Sequence, residues 1–171
     1  MATALHYGWT EENGEKSGPS RTVTDLLQSL SDKYGAFVSY NSYVISKDPK
    51  VTDEIFHQLR NGGSNNGYWT TVVGQKIVSI QDITKGYDST SATGKSTLPQ
   101  TPDSHMIMYE FENGVSVTLR TSGTEPKIKY YTEIAGKPGQ QRAELEKTLH
   151  TFVDALVDEM LQPQKYGLSR A

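Results

Sequence analysis

The sequence predicts an α+β domain: a small, mostly antiparallel sheet of four to five strands with two helices packed on one face. Three observations predict it. Two alternating apolar segments, Met106 to Glu112 and Val115 to Leu119, are joined by Asn113-Gly114, the strongest short hairpin signal. Two other stretches, one around Val51 to Leu59 and one from Leu145 to Leu161, repeat apolar residues with a helical period. The elements follow one another as helix, strand, helix, strand, long loop, hairpin, loop, strand, helix, so the last two helices must cover about five sheet segments.

Residues 1–20 read as a disordered tail or linker, because Glu11 to Ser20 is charged, contains Gly and Pro and has no apolar period. Trp9 lies just before that stretch. A short helix follows over 22–34, with Thr22 and Asp25 as a capping box, Leu26, Leu27, Leu30 and Tyr34 on one face, and Gly35 as its end. Phe37 to Ile45 is rich in aromatic and β-branched residues and reads as one strand. Asp48-Pro49 is an N-cap followed by a first-turn proline, and it starts the helix whose stripe is Val51, Ile55, Phe56 and Leu59. Asn61-Gly62-Gly63 stops that helix, and Lys76 to Ile83 is the next strand. Residues 84–103 have no period and read as a long loop. After the hairpin, Ile128 to Ile134 alternates again, and the best helix of the chain carries Leu145, Leu149, Phe152, Val153, Leu156, Met160 and Leu161 up to Pro163. The domain boundaries are therefore 1–20 for the tail, 21–35 for the first helix, 36–163 for the main domain and 164–171 for a terminal tail.

The 171 residues fit a single domain with a ragged end. A 35% hydrophobic fraction and a mean hydropathy of −0.59 describe a polar chain that can still bury a core. Net charge is −3, so no global basic field favours nucleic acid or an anionic membrane, and any anion site must be local. The absence of cysteine excludes disulfides, thiolate metal sites and cysteine nucleophiles. No apolar run approaches the roughly 20 residues of a membrane helix, and the N-terminus lacks a signal-peptide core. The chain reads as soluble and cytoplasmic.

The stretch with the most chemistry is Arg120-Thr-Ser-Gly-Thr-Glu-Pro-Lys-Ile-Lys-Tyr-Tyr131. Arg120 stands at a strand end and offers a planar fork of donors. Thr121, Ser122 and Thr124 add hydroxyls, and a turn through Gly123 can aim backbone N–H groups into one concavity. In a strand over 128–134, Lys127 and Lys129 share a face opposite Ile128 and Tyr130. This is an oxyanion clamp in chemical terms; the alternative is a polar turn with two surface lysines. Glu125 repels phosphate, but it can instead orient Arg120 or Lys127 through an ion pair.

Other candidates carry less. Gly94-Lys95-Ser96 has the ending of a nucleotide-binding loop, but Ser89 stands where that pattern needs its first glycine, and no strand-to-helix context surrounds it. It reads as a solvated loop. His6, His57, His105 and His150 lack metal-type spacing, and no Ser-His-Asp arrangement is supported. His57 and His150 read as surface positions on helices, and His105 precedes a strand. Asp82 and Asp88 read as solvated acids at the start of the long loop. Tyr40, Tyr43, Tyr109, Tyr130 and Tyr131 read as core and rim residues of the sheet.

At the clamp stretch the chain resembles the phosphate-binding loop of the α-D-phosphohexomutase superfamily. It looks closest to the animal branch of phosphopentomutase/phosphoglucomutase and glucose-1,6-bisphosphate synthase. Tyr34-Gly35 before an aromatic strand, Asp82-Ile-Thr-Lys-Gly-Tyr-Asp88, the hairpin at Asn113-Gly114 and Leu161-Gln-Pro-Gln-Lys-Tyr166 are similar too, so the resemblance spans roughly residues 21–168. It implies the C-terminal domain of an intramolecular phosphotransferase, TATA-binding-protein-like in fold, whose loop holds the phosphate that does not react. Carried onto this chain, Arg120, Ser122, Gly123 and Thr124 would line the phosphate, with Lys129 at a further basic position of the motif. The complete enzymes use magnesium, a phosphoserine and a bisphosphorylated sugar. Their phosphoserine, metal and sugar-recognition loops belong to earlier domains and are not found in this sequence. The expectation is therefore a phosphosugar-binding domain with no cofactor of its own, not catalytic alone, whose partners are the preceding mutase domains rather than nucleic acid or membrane. The alternative is a non-enzymatic interaction module that retains the fold.

Overall fold

The computed structural model describes residues 11–12, 15–16, 22–63 and 67–171. Strands β1 (Glu11–Glu12) and β2 (Glu15–Lys16) form a two-residue antiparallel ladder. The rest of the expected tail over residues 1–20, Trp9 included, lies outside the described residues. Helix α1 spans Val23–Tyr34. Its start is the capping box: the Thr22 hydroxyl accepts from Asp25 N at 3.2 Å, and the Asp25 carboxylate accepts from Thr22 N at 2.7 Å. Gly35 follows at φ 88°, where a side chain is strained and a Cβ would run into the Gly136 carbonyl.

The predicted strand Phe37 to Ile45 is two strands, β3 (Phe37–Ser39) and β4 (Ser42–Ile45). Helix α2 (Pro49–Asn61) starts where Asp48-Pro49 places it, with the Asp48 carboxylate accepting from Lys50 N at 2.9 Å. Then come β5 (Thr71–Val72), β6 (Gln75–Asp82), β7 (Tyr87–Asp88), β8 (Met106–Phe111), β9 (Val115–Thr121) and β10 (Lys127–Ala135). In the β8–β9 turn Gly114 has φ 82° and the Asn113 side chain accepts from Val115 N, as an Asn-Gly hairpin requires. Helix α3 (Arg142–Leu156) runs into a π-helical turn, Val157–Leu161. Gln162, at φ 46°, breaks it, and Pro163 opens α4 (Pro163–Tyr166) instead of ending the helical path. Residues expected as a terminal tail thus include α4 and β11 (Ser169–Arg170), which pairs with β4.

The sheet order is β11-β4-β10-β9-β8-β6-β5, with β3 also beside β10 and β7 beside β6, and every pair is antiparallel. The α+β class and the antiparallel sheet are as expected. The strand count of four to five is too low: the sheet has nine strands among the described residues. The extra strands β5, β7 and β11 have two residues each and β3 has three, too short to produce an alternation signal.

One face of the sheet is the core. Val115, Val117 and Leu119 of β9 and Ile128, Tyr130 and Ile134 of β10 are buried there. They meet Ile55, Phe56 and Leu59 of α2 and Leu145, Leu149, Val153 and Leu156 of α3 in one cluster. Both long helices therefore cover the same face. The alternate residues Ser116, Thr118 and Arg120 on β9, and Lys127, Lys129 and Tyr131 on β10, lie on the opposite, open face. No described helix is long and apolar enough to cross a membrane.

Candidate functional site

Strands β9 and β10 are the most extensively paired in the sheet, and their connection is the turn over residues 122–126. The pairing places Arg120 directly opposite Lys129, with Tyr43 of β4 beyond Lys129. Cross-strand partners share a face, so the two cations stand side by side on the open side of the sheet. Among the described residues no carboxylate pairs with either of them. Two like charges held adjacent and unneutralised are unfavourable unless water or an anion compensates them.

The turn is tied down at both ends. Ser122 N donates to Lys127 O at 3.0 Å and Lys127 N to Glu125 O at 2.7 Å. Ser46 N, at the end of β4, donates to Pro126 O at 2.9 Å. On the β8 side, Thr121 N donates to His105 O at 3.0 Å, and His105 N donates back to the Thr121 hydroxyl at 3.1 Å. The Ser122 and Thr124 hydroxyls make no hydrogen bond among the described residues. Gly123 lacks a left-handed φ, and a Cβ there would touch nothing within 4 Å. Among the described residues nothing requires glycine at this position.

Glu125 pairs with Lys127, not Arg120, at 2.7 Å. The hydrogen bond from Lys127 holds the Glu125 carboxyl below the usual carboxylate range, and the same bond raises the Lys127 ammonium. Lys127 Nζ also lies 4.0 Å from the centre of the Tyr43 ring. Arg120 is held differently. Its Nη2 donates to the Tyr131 phenol oxygen at 2.8 Å, and its guanidinium carbon lies 5.2 Å from the centre of that ring.

Behind the turn, on the α2 side, is a cleft of about 330 Å³ lined by Ser46, Thr52, Asp53, His105, Ser122 and Glu125 among others. Of the five residues the sequence singles out, only Ser122 lines it. Arg120 and Lys129 are on the open sheet face, while Gly123 and Thr124 form the exposed tip of the turn.

A second constellation was not legible in the sequence. Asp82 is fully buried, not solvated. It accepts from Arg60 Nε at 2.5 Å and Nη2 at 3.2 Å, from the Tyr68 hydroxyl at 2.9 Å and from Lys85 N at 3.1 Å. Four donors satisfy its lone pairs, which is how a buried carboxylate is tolerated. Arg60 Nη1 also meets His105 Nδ1 at 3.2 Å, and His105 Nε2 meets Asp53 Oδ1 at 2.9 Å. Arginine only donates, so Nδ1 is the acceptor and the proton sits on Nε2, facing Asp53. His105 thus joins the buried ion pair to Asp53 through its ring and to Thr121, at the start of the turn, through its backbone. The only hint in the sequence is the position of His105, immediately before β8.

The other histidines behave as surface residues. His57 and His150 are exposed, although the His150 ring stacks on Tyr40 at 4.1 Å, and His6 lies outside the described residues. Tyr109 and Tyr130 are core, Tyr40 and Tyr43 are half-buried and Tyr131 is exposed. Gly94 to Ser96 belongs to a loop closed by the Tyr87–Lys95 bridge, with no helix after it. Among the described residues no group of three His, Asp or Glu side chains could hold a metal ion.

The chain is similar to sugar-phosphate enzymes. It is 43% identical over 148 residues to the glucose 1,6-bisphosphate synthase of Homo sapiens, which covers 86% of this chain and 24% of that protein. Over the same length it is 38% identical to the phosphopentomutase of Homo sapiens and 37% identical to a probable phosphoribomutase of Schizosaccharomyces pombe, covering 24% and 25% of them. The chain spans about a quarter of the length of the curated relatives it matches. No protein-family model matches it.

Proposed function

The chain is a relative of the C-terminal domain of the α-D-phosphohexomutase superfamily, and on that premise we propose that it is the substrate phosphate-binding domain of a phosphosugar mutase. The observation that carries the proposal is the Arg120–Lys129 pair: two adjacent cations with no carboxylate partner among the described residues, below a turn whose Ser122 and Thr124 hydroxyls make no hydrogen bond among those residues. Two charge-assisted donors and two hydroxyls match the three terminal oxygens of a phosphate monoester. The phosphate they hold is the one that is not transferred. Its binding energy positions the sugar so that a hydroxyl elsewhere on the ring meets the phosphoryl donor.

In this reading the domain works with the preceding domains of a mutase, in the cytoplasm, and those domains supply the phosphoserine, the magnesium and the sugar-reading loop. The chain alone positions and does not transfer. The test is a titration of a phosphosugar into the isotope-labelled chain, followed by NMR. Shifts confined to residues 120–129 are expected, with most of the affinity lost in Arg120→Ala; retained affinity in that variant would sink the assignment. Turnover by the purified chain in a mutase assay would refute the division of labour.

A second reading, a non-enzymatic interaction module, is favoured by one observation. Helix α1 buries none of its residues, and Val23, Leu27, Leu30 and Tyr34 leave an apolar stripe uncovered next to exposed Phe37. Silence of residues 120–129 in the phosphosugar titration would select this reading.

A further inference from the structure

We infer that Tyr131 is a positioning residue of the phosphate clamp, holding the Arg120 guanidinium in place while leaving its charge available. The inference rests on the phosphate reading above and adds a residue to it.

Three cations occupy the stretch from 120 to 129, and each is held differently. Lys127 is paired with the Glu125 carboxylate, so its charge is largely spent. The Lys129 side chain makes no hydrogen bond or ion pair among the described residues. Arg120 is fixed by one neutral group: Tyr131 offers its phenol oxygen to Nη2 at 2.8 Å and its ring face to the guanidinium carbon at 5.2 Å. A carboxylate in that place would orient the guanidinium but cancel its charge toward an incoming anion. A phenol orients it and cancels nothing.

The geometry follows from the sheet register. Tyr131 pairs with Thr118, and Arg120 is two residues further along β9, so the two side chains share a face and meet on the diagonal. An arginine side chain is rotamer-rich, and ordering it on binding costs affinity. Here the ring and the hydroxyl have ordered it in advance. The phenol takes one of the five N–H donors, leaving four for a phosphate. Tyr131 is 37% exposed and contributes to the open face, not to the core, so its role is separable from folding.

The test uses the full chain and inorganic phosphate, with affinity read from NMR shifts and folding from the thermal midpoint. Four proteins are compared: wild type, Arg120→Ala, Tyr131→Phe and Tyr131→Leu. Tyr131→Phe keeps the ring and loses the hydrogen bond; its affinity falls about threefold. Tyr131→Leu loses both and falls about tenfold. The thermal midpoints of the two Tyr131 variants stay together, within a degree or two of wild type. A simply structural tyrosine would move the midpoint and show no partial rescue by phenylalanine. If Arg120→Ala binds like wild type, the phosphate reading itself fails. If Arg120→Ala loses binding while Tyr131→Leu binds like wild type, or Tyr131→Phe binds more tightly, the clamp stands and the role of Tyr131 is overturned.

Discussion

Glu125 is an exposed carboxylate in the turn of the proposed phosphate clamp. Its ion pair with Lys127 limits the harm, because the two charges cancel at 2.7 Å. Both groups are solvent-screened, so the pair adds little to stability. Its effect belongs to binding: Glu125→Gln removes a negative charge and frees Lys127, and phosphate affinity should rise by roughly twofold at low salt and less at high salt, as a calorimetric titration at two ionic strengths would register. An unchanged or weaker affinity would mean that the carboxylate orients the turn. Tyr109 poses the opposite question. Its hydroxyl is fully buried, and among the described residues it has no hydrogen-bond partner. An unsatisfied buried hydroxyl costs about 1–3 kcal/mol. Tyr109→Phe should therefore be neutral or stabilising by up to about 1 kcal/mol in urea unfolding; a clear loss would reveal a bridging water. Neither partnership was fully legible beforehand. Glu125 had two candidate cations a few residues away and the sequence left both open. The surroundings of Tyr109 depend on strands and a helix brought together from distant positions.

The two kinds of helix in this chain show how local and tertiary signals separate. Helix α1 has every local mark of a helix, down to both hydrogen bonds of its capping box, yet none of its residues is buried. Helix α3 has no side-chain cap, and it is secured by Leu145, Leu149, Val153 and Leu156 in the core. Their mutational responses should differ accordingly. Leu149→Ala removes a wholly buried side chain and should cost about 2–5 kcal/mol. Leu27→Gln changes a residue that is 59% exposed and should stay within about 0.5 kcal/mol of wild type, while reducing any self-association seen by light scattering. A large loss of stability in Leu27→Gln would mean that α1 is anchored. The strands teach the same lesson. The run from Phe37 to Ile45 looks continuous, but Thr132 divides it. The Thr132 hydroxyl donates to Tyr40 O, and its N–H donates to the Asn41 side chain at 2.9 Å, which occupies the ladder between β3 and β4. No pattern within 37–45 can report a residue that lies far along the chain on β10.

At the scale of the whole molecule, the class and the order of the long elements were legible because they rest on periodicity, which is local. The stretch from Arg120 to Tyr131 stood out by its residue types, and β9–β10 pairing sets Arg120 and Lys129 side by side across the sheet. The buried node at Asp82 was not legible, since Arg60, Tyr68 and Lys85 reach it from three segments. That node makes the fold sensitive to alkali. Burial raises the phenols of Tyr68 and Tyr109 above the ordinary tyrosine range, and the Asp82 charge adds to the shift. In the unfolded chain both ionise near about pH 10. Below that pH both states keep their protons and the contribution to stability is fully present. Above it the unfolded chain releases protons that the folded chain retains, so the buried Tyr109 phenol removes up to about 1.4 kcal/mol of stability per pH unit and the half-buried, solvent-screened Tyr68 phenol less. Urea midpoints should therefore be flat from neutrality to about pH 9 and fall steeply beyond about pH 10. Tyr109→Phe should lessen the slope without abolishing it, because Tyr68 still titrates against the same carboxylate. An equally steep fall in Tyr109→Phe would remove Tyr109 from the account, and a flat profile through pH 11 would remove both.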